Sequence, residues 1–167
     1  MAACQTLSVP SINERFRVAA DTITAPATLS ELASDRSPKV REAVAKNPST
    51  SSEVLTALVR DEKWAVRFAV AENPNPRALS VALAASDADV RGRAAQRSDL
   101  DMVSAQLLLR DPVHTVRERM AEVTQDASLV AALARDPHPA VRSTILLNWR
   151  LSEADTEMLA SDPIARV

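Results

Sequence analysis

Glycine is almost missing from this chain of 167 residues. It occurs once, at Gly92, where average usage would give roughly a dozen. A single glycine cannot build a phosphate-cradling loop or a dinucleotide-binding fingerprint. Tyrosine is absent, and phenylalanine and tryptophan together number four. Sheet proteins draw on aromatic and β-branched residues and on turn glycines, so this shortage speaks against strands. Cysteine occurs once, at Cys4, which excludes an internal disulfide. No run approaches the 18 or so apolar residues of a membrane span. Met1 to Pro10 lacks the basic start and apolar run of a secretory signal. Neither sign of charge dominates: the formal net charge is −2, which argues against non-specific attachment to nucleic acid or to an anionic membrane. The chain reads as cytoplasmic, with no cofactor, no metal and no membrane contact.

What is present is helical. Alanine occurs 30 times and apolar residues make up 46 % of the chain. Alanine, leucine, arginine and glutamate favour helices, and ten prolines can punctuate short ones. An all-α fold is expected.

The chain also repeats itself. Val-Arg recurs at Val40-Arg41, Val66-Arg67, Val90-Arg91, Val116-Arg117 and Val141-Arg142, at spacings of 26, 24, 26 and 25 residues. Asp35, Asp61, Asp111 and Asp136 stand six residues before Arg41, Arg67, Arg117 and Arg142; before Arg91 the aspartate, Asp87, is only four back. Leu32, Leu58, Leu83, Leu108, Leu133 and Leu159 keep the same rhythm. A degraded copy starts near Glu14-Arg15. Periods of this length mean stacked structural repeats. After an N-terminal segment, residues 1–13, the array occupies 14–167, with repeats starting near 14, 40, 66, 90, 116 and 141 and a truncated one at 167.

Each repeat reads as two helices. The first runs from Val40 through Lys46 and stops at Asn47-Pro48, because proline cannot continue a helix. The second starts at Thr50, which has capping-box spacing to Glu53, and carries Leu55 and Leu58; Thr28 and Glu31 repeat the device. Ser98 with Asp101 and Ser152 with Asp155 are weaker versions.

Val40 to Asp61, VREAVAKNPSTSSEVLTALVRD, and Val66 to Asp87, VRFAVAENPNPRALSVALAASD, resemble the leucine-rich repeat variant, a short relative of HEAT-type helical repeats. The resemblance fades at Arg97-Ser98 and Val123-Thr124, where Asn-Pro is lost. It implies a right-handed α-solenoid of about six two-helix repeats, and an aspartate–arginine ladder along it. Some members carry a cysteine-rich iron–sulfur segment; with only Cys4 present, that activity does not transfer.

The arginine column tests this expectation. At about 100° per residue, Arg41 falls in the middle of the apolar face set by Val40 and Val44. A guanidinium there needs a partner, and the aspartate six residues earlier is the expected bidentate one. Asp35, Arg41, Asp61, Arg67, Asp87, Arg91, Asp111, Arg117, Asp136 and Arg142 are thus assigned to a structural ladder. Asn47, Asn73 and Asn148 form a second column, expected to satisfy turn backbone groups. The opposite helix face is mostly polar. Phe16, Phe68 and Leu147 interrupt it, and with Arg93, Arg119 and Trp149 they are the candidate partner-binding residues. Phe16 has an alternative place under the N-terminal segment, and Trp149 one as a cap on the last layer. His114 and His138 lie one repeat apart, about a helix spacing of 10 Å, too far for a shared metal.

No catalytic constellation emerges. The expected function is a non-catalytic scaffold that binds another protein through the variable surface. The alternative is nucleic-acid binding through Arg91, Arg93, Arg97, Arg110, Arg117 and Arg119, but six acidic residues between Asp87 and Arg119 cancel that charge. At the C-terminal end Leu151, Met158, Leu159 and Ile164 have nothing stacked on them. Either Trp149 and Pro163 to Val167 fold back as a lid, or two copies pair there as a homodimer.

Overall fold

The computed structural model describes residues 10–162. Among these it is all-helical, with twelve helices: α1 (Ile12–Ala20), α2 (Pro26–Leu32), α3 (Pro38–Lys46), α4 (Ser52–Leu58), α5 (Trp64–Glu72), α6 (Pro76–Leu83), α7 (Ala88–Ala95), α8 (Met102–Leu109), α9 (His114–Val123), α10 (Ala127–Leu133), α11 (Pro139–Ile145) and α12 (Glu153–Ala160). No helix is long and apolar enough to cross a membrane. Ile164 and the Pro163–Val167 lid, like Cys4, lie outside the described residues.

The chain divides into two compact bodies, residues 1–78 and 79–167. In the first, α3 lies between α1 and α5, with α2 and α4 packed behind this row. In the second, α9 lies between α7 and α11, backed by α8 and α10. Helices of seven to ten residues do not persist alone in water. They persist here because every one buries a face. The valines of the five Val-Arg pairs, Val40, Val66, Val90, Val116 and Val141, are all fully buried. In the second body Met120, Leu108, Leu133 and Ile145 close the core around them.

Local chemistry sets the ends. Pro26, Pro38 and Pro139 open their helices, where the absent N–H has no helical partner to lose. Ser11, Ser51, Asp101, Asp126 and Ser152 cap helices with side-chain oxygens. Two expected caps move. Ser51, not Thr50, caps α4; Thr50 is buried, its hydroxyl donating 2.6 Å to the Val44 carbonyl. Thr28 sits inside α2, whose cap is Ala25 followed by Pro26. At the fourth repeat Asp101 is itself the cap of α8, and Ser98 plays no part in it.

The asparagines join one repeat to the next. The Asn47 carboxamide donates 2.8 Å to the carbonyls of Ala19 and Asp21, while its own oxygen accepts the Ser49 N–H. Asn73 does the same one repeat on, donating to Ala45 and Asn47 and accepting from Asn75. Both are buried. The expected turn bond is therefore half of the role; the other half bridges repeats. Asn47→Ala should take the carboxamide donor from both carbonyls, of which Asp21 keeps the Thr24 N–H, and cost about 2 kcal/mol, read as a lowered Tm in thermal melts. Ser52→Ala, on the exposed side of α4, should stay within about 0.5 kcal/mol of wild type.

Candidate functional site

The arginine column faces inward and is paired throughout the bridges described here, but not as the six-residue spacing suggested. The bidentate partner is the aspartate that follows by about twenty residues, at the end of the same repeat and the entry to the next. Arg41 donates Nε to Asp61 Oδ2 at 2.7 Å and Nη2 to Oδ1 at 3.0 Å. Arg15–Asp35, Arg91–Asp111 and Arg117–Asp136 repeat this fork, and Arg142 donates Nε to Asp162 at 2.5 Å. The position six back contributes its backbone instead: Nη1 of Arg41, Arg67, Arg117 and Arg142 donates to the carbonyls of Asp35, Asp61, Asp111 and Asp136. A carbonyl does not depend on side-chain identity, which explains Arg91. Its Nη1 reaches the Ala85 carbonyl, six back, while Asp87 caps α7 by accepting the Asp89 N–H. The shorter aspartate spacing at that turn therefore leaves the arginine's carbonyl bond in place.

Each aspartate also accepts the N–H two residues on: Asp35 from Ser37, Asp61 from Lys63, Asp111 from Val113, Asp136 from His138. One carboxylate thereby fixes the first helix of its own repeat and the entry to the first helix of the next. The Arg15 guanidinium holds the Asp35 carboxyl below the ordinary carboxylate range. Burial works to raise the carboxyls of Asp61, Asp111 and Asp136, yet the guanidinium and amide bonds outweigh it and all three also titrate low.

The candidate partner-binding residues fall into different settings. Phe16 is 44 % exposed and borders an open cavity of about 400 Å³ with Lys39, Glu42, Lys46 and Pro48. Phe68, at the equivalent position two helices away on α5, is half-buried because Trp64 packs edge-on against it, with centroids 5.4 Å apart at 77°. Trp64 itself is 65 % exposed. It was not among the sequence candidates, although its four-residue spacing from Phe68 on one helix is the signal that finds it. Between them Lys46 bridges Glu42 at 2.8 Å and Glu72 at 3.9 Å. The outer face is less polar than helical angles suggested, since Ala43 and Ala69 are buried where neighbouring first helices pack side by side.

These repeats have a known counterpart over part of their length. Residues 14–74 match the family model of the Leucine Rich Repeat Variant domain. No curated protein and no solved structure matches the chain. The matched segment takes in most of α1 and all of α2 to α5, with Phe16, Trp64 and Phe68 on it, while arginine–aspartate bonds recur beyond it at Arg91, Arg117 and Arg142.

In the second body Arg93 donates to Gln96 at 3.3 Å, and Arg119 forks onto Asp89. The Arg119 stem lies over Gly92, where an added Cβ would stand 2.8 Å from its Cδ. The one glycine of the chain makes room for that side chain. Leu147 and Trp149 are 84 % and 72 % exposed, so Trp149 caps no layer; the Arg150 guanidinium sits 4.0 Å over its ring. Leu159, expected to be uncovered, is buried in the core, and Leu151 packs against that core; Met158 remains partly exposed. His114 and His138 are much closer than a helix spacing: their rings stack at 3.6 Å, tilted by 15°. His138 Nδ1 accepts the Ala140 N–H and caps α11. Among the described residues no three metal-ligating side chains gather at one point.

Two outcomes test the ladder. Arg117→Ala leaves the buried Asp136 carboxylate without its counter-charge and should cost about 3–5 kcal/mol. Adding Asp136→Asn, which keeps an acceptor for the His138 N–H, should recover part of the loss in denaturant melts. The ladder also sets a direction with pH. Its carboxyls titrate lower folded than unfolded, so their stabilisation is complete above the unfolded value of about 3.9 and is lost as pH falls through the folded values. Tm should hold from neutral pH down to about 5 and drop below about 4, and Asp61→Asn should flatten that drop.

Proposed function

We propose that this chain is a non-catalytic helical-repeat scaffold that binds another protein through the outer face of its Leucine Rich Repeat Variant domain. The observation that carries the reading is Trp64: a tryptophan 65 % exposed, held in one orientation by its edge contact with Phe68 on a helix fixed by the ladder. Rigid exposed aromatic side chains are the residues on which binding energy concentrates at protein interfaces. Phe16 and the open cavity beside it extend the same face. Arg93 and Arg119 take a lesser part, since their guanidinium groups are engaged with Gln96 and Asp89.

The nucleic-acid alternative loses its main support on the same ground. Arg91, Arg97, Arg117 and Arg119 are all bonded to carboxylates, which leaves little positive charge for phosphates. Self-association through the C-terminal end remains a second reading, favoured by the exposure of Leu147 and Trp149. The experiment compares wild type, Trp64→Ala and Phe68→Glu for stoichiometric co-purification of a partner from the source cell. Both variants should lower affinity at least about tenfold, equivalent to about 1.4 kcal/mol, with the Tm of Trp64→Ala unchanged. Undiminished capture by both variants would remove this face from the interface. Light scattering of wild type and Trp149→Ala tests the homodimer.

A further inference from the structure

Helix α8 is apolar on two opposite sides. Ala105 and Leu108 are buried in the core, with Ser104 beside them. On the outer side Val103 is 70 % exposed and Leu107 61 %. At about 100° per residue, Val103, Gln106, Leu107 and Arg110 share one outer arc of about 100°. The equivalent arc of α4 carries Glu53, Thr56 and Ala57, and that of α2 Ser30 and Glu31, all exposed. A helix with apolar residues on every side belongs in a buried place. The outer side of α8 therefore calls for a cover that α2 and α4 do not need.

Beside this ridge α10 is flat. It packs against α8, and its own outer arc is Ser128, Ala131, Ala132 and Arg135. Each helix starts from an exposed aspartate cap, Asp101 or Asp126, and each cap is followed nine residues on by an exposed arginine, Arg110 or Arg135. The face is thus banded: acidic at the helix starts, apolar in the middle, basic at the helix ends. Turned end for end, such a face is complementary to itself. The acidic edge of one copy meets the basic edge of the other, and the α8 ridge settles on the α10 alanines. Arg135 is already bridged to Asp155 at 2.6 Å, so the pair that decides is Arg110 with Asp126. The Arg110 side chain makes no hydrogen bond or ion pair among the described residues. Asp126 accepts the Ser128 N–H, the Ser128 hydroxyl and the Leu129 N–H all on Oδ1, and Oδ2 takes none of them.

We propose that α8 and α10 form a two-fold interface with a second copy of this chain, α8 of one copy lying antiparallel on α10 of the other. Val103 and Leu107 pack on Ala131 and Ala132 of the facing copy, and Arg110 donates to Asp126 Oδ2 at either end. The face lies wholly in the second body. It shares no residue with the aromatic face of the first, nor with Leu147 and Trp149, and goes beyond both readings. Two helices of about 10–12 Å each make a small interface, under about 1,200 Å² in total, and such pairing is weak.

Sedimentation equilibrium of the full chain tests this. Wild type should dimerise with a Kd on the order of 10–100 µM. Leu107→Glu, at an exposed position, should stay monomeric over the same range and keep the Tm of wild type. Arg110→Glu and Asp126→Lys should each pair at least about tenfold more weakly, because each sets like charges face to face at both ends. Mixed in equal amounts the two variants should pair again, since their heterodimer holds one reversed pair and one native pair. Asp126→Lys also removes a helix cap; if it does not fold, Leu107→Glu and Arg110→Glu decide. A wild type still monomeric at about 500 µM, well above the expected Kd, would overturn the proposal. So would a dimer that survives Leu107→Glu, or a folded mixture that pairs no better than either variant alone. A dimer lost in Trp149→Ala but kept in Leu107→Glu would place the pairing at the C-terminal end instead.

Discussion

The bidentate bond from the arginine of a repeat's first helix to the aspartate that closes the same repeat, at the entry to the next, is the interaction on which this structure depends. Both groups are largely buried, with side-chain exposures of 10 % and 4 % for Arg117 and Asp136. Burying either charge alone would cost several kcal/mol, so neither can be changed by itself. The guanidinium spends a third donor on the carbonyl six residues back, and the carboxylate a third acceptor position on the N–H two residues on. A single pair thus fixes a turn, a helix entry and the register between neighbours. Helices of seven to ten residues cannot supply that order themselves.

The asparagine column does a similar job without charge, and this difference explains why it tolerates interruption. A missing carboxamide leaves neutral carbonyls, at a cost of about 1–3 kcal/mol each if they find no other partner. A missing arginine leaves a buried anion. Accordingly the arginine-to-aspartate bond recurs at Arg15, Arg41, Arg91, Arg117 and Arg142, while the asparagine gives way to threonine after α9.

Much of this was legible in the sequence. Val-Arg at spacings of 24 to 26 residues gave helix pairs, and the helical angle between Val40 and Arg41 placed a charge on the apolar face that had to be paired. What the sequence could not convey was which aspartate pairs. Asp35 and Asp61 lie six before and twenty after Arg41, and only stacking brings the farther carboxylate to the guanidinium while the nearer residue turns its carbonyl inward. The stacked rings of His114 and His138 were missed for a related reason. A spacing between helix axes says nothing about side chains that lean toward each other from successive first helices. Thr50 and Thr28 failed as caps because capping-box spacing is common, and Ser51 and Pro26 mark the real starts one or two residues away.

The ladder also constrains what kind of recognition the surface can perform. Arginine is the residue best suited to grip phosphate or carboxylate in a partner, and here the guanidinium groups of the repeated column are spent within the chain, in forks to aspartate, as is that of Arg119 on Asp89. Lysine is bridged in the same way where Lys46 spans two glutamates. With these column and bridged cations engaged, the face around them offers a partner apolar and aromatic area. Three of the chain's four phenylalanine and tryptophan side chains are found there: Trp64 largely exposed, Phe16 partly so, and Phe68 half-covered and supporting Trp64. Their scarcity elsewhere means that the core, built from alanine, valine and leucine, has no use for them.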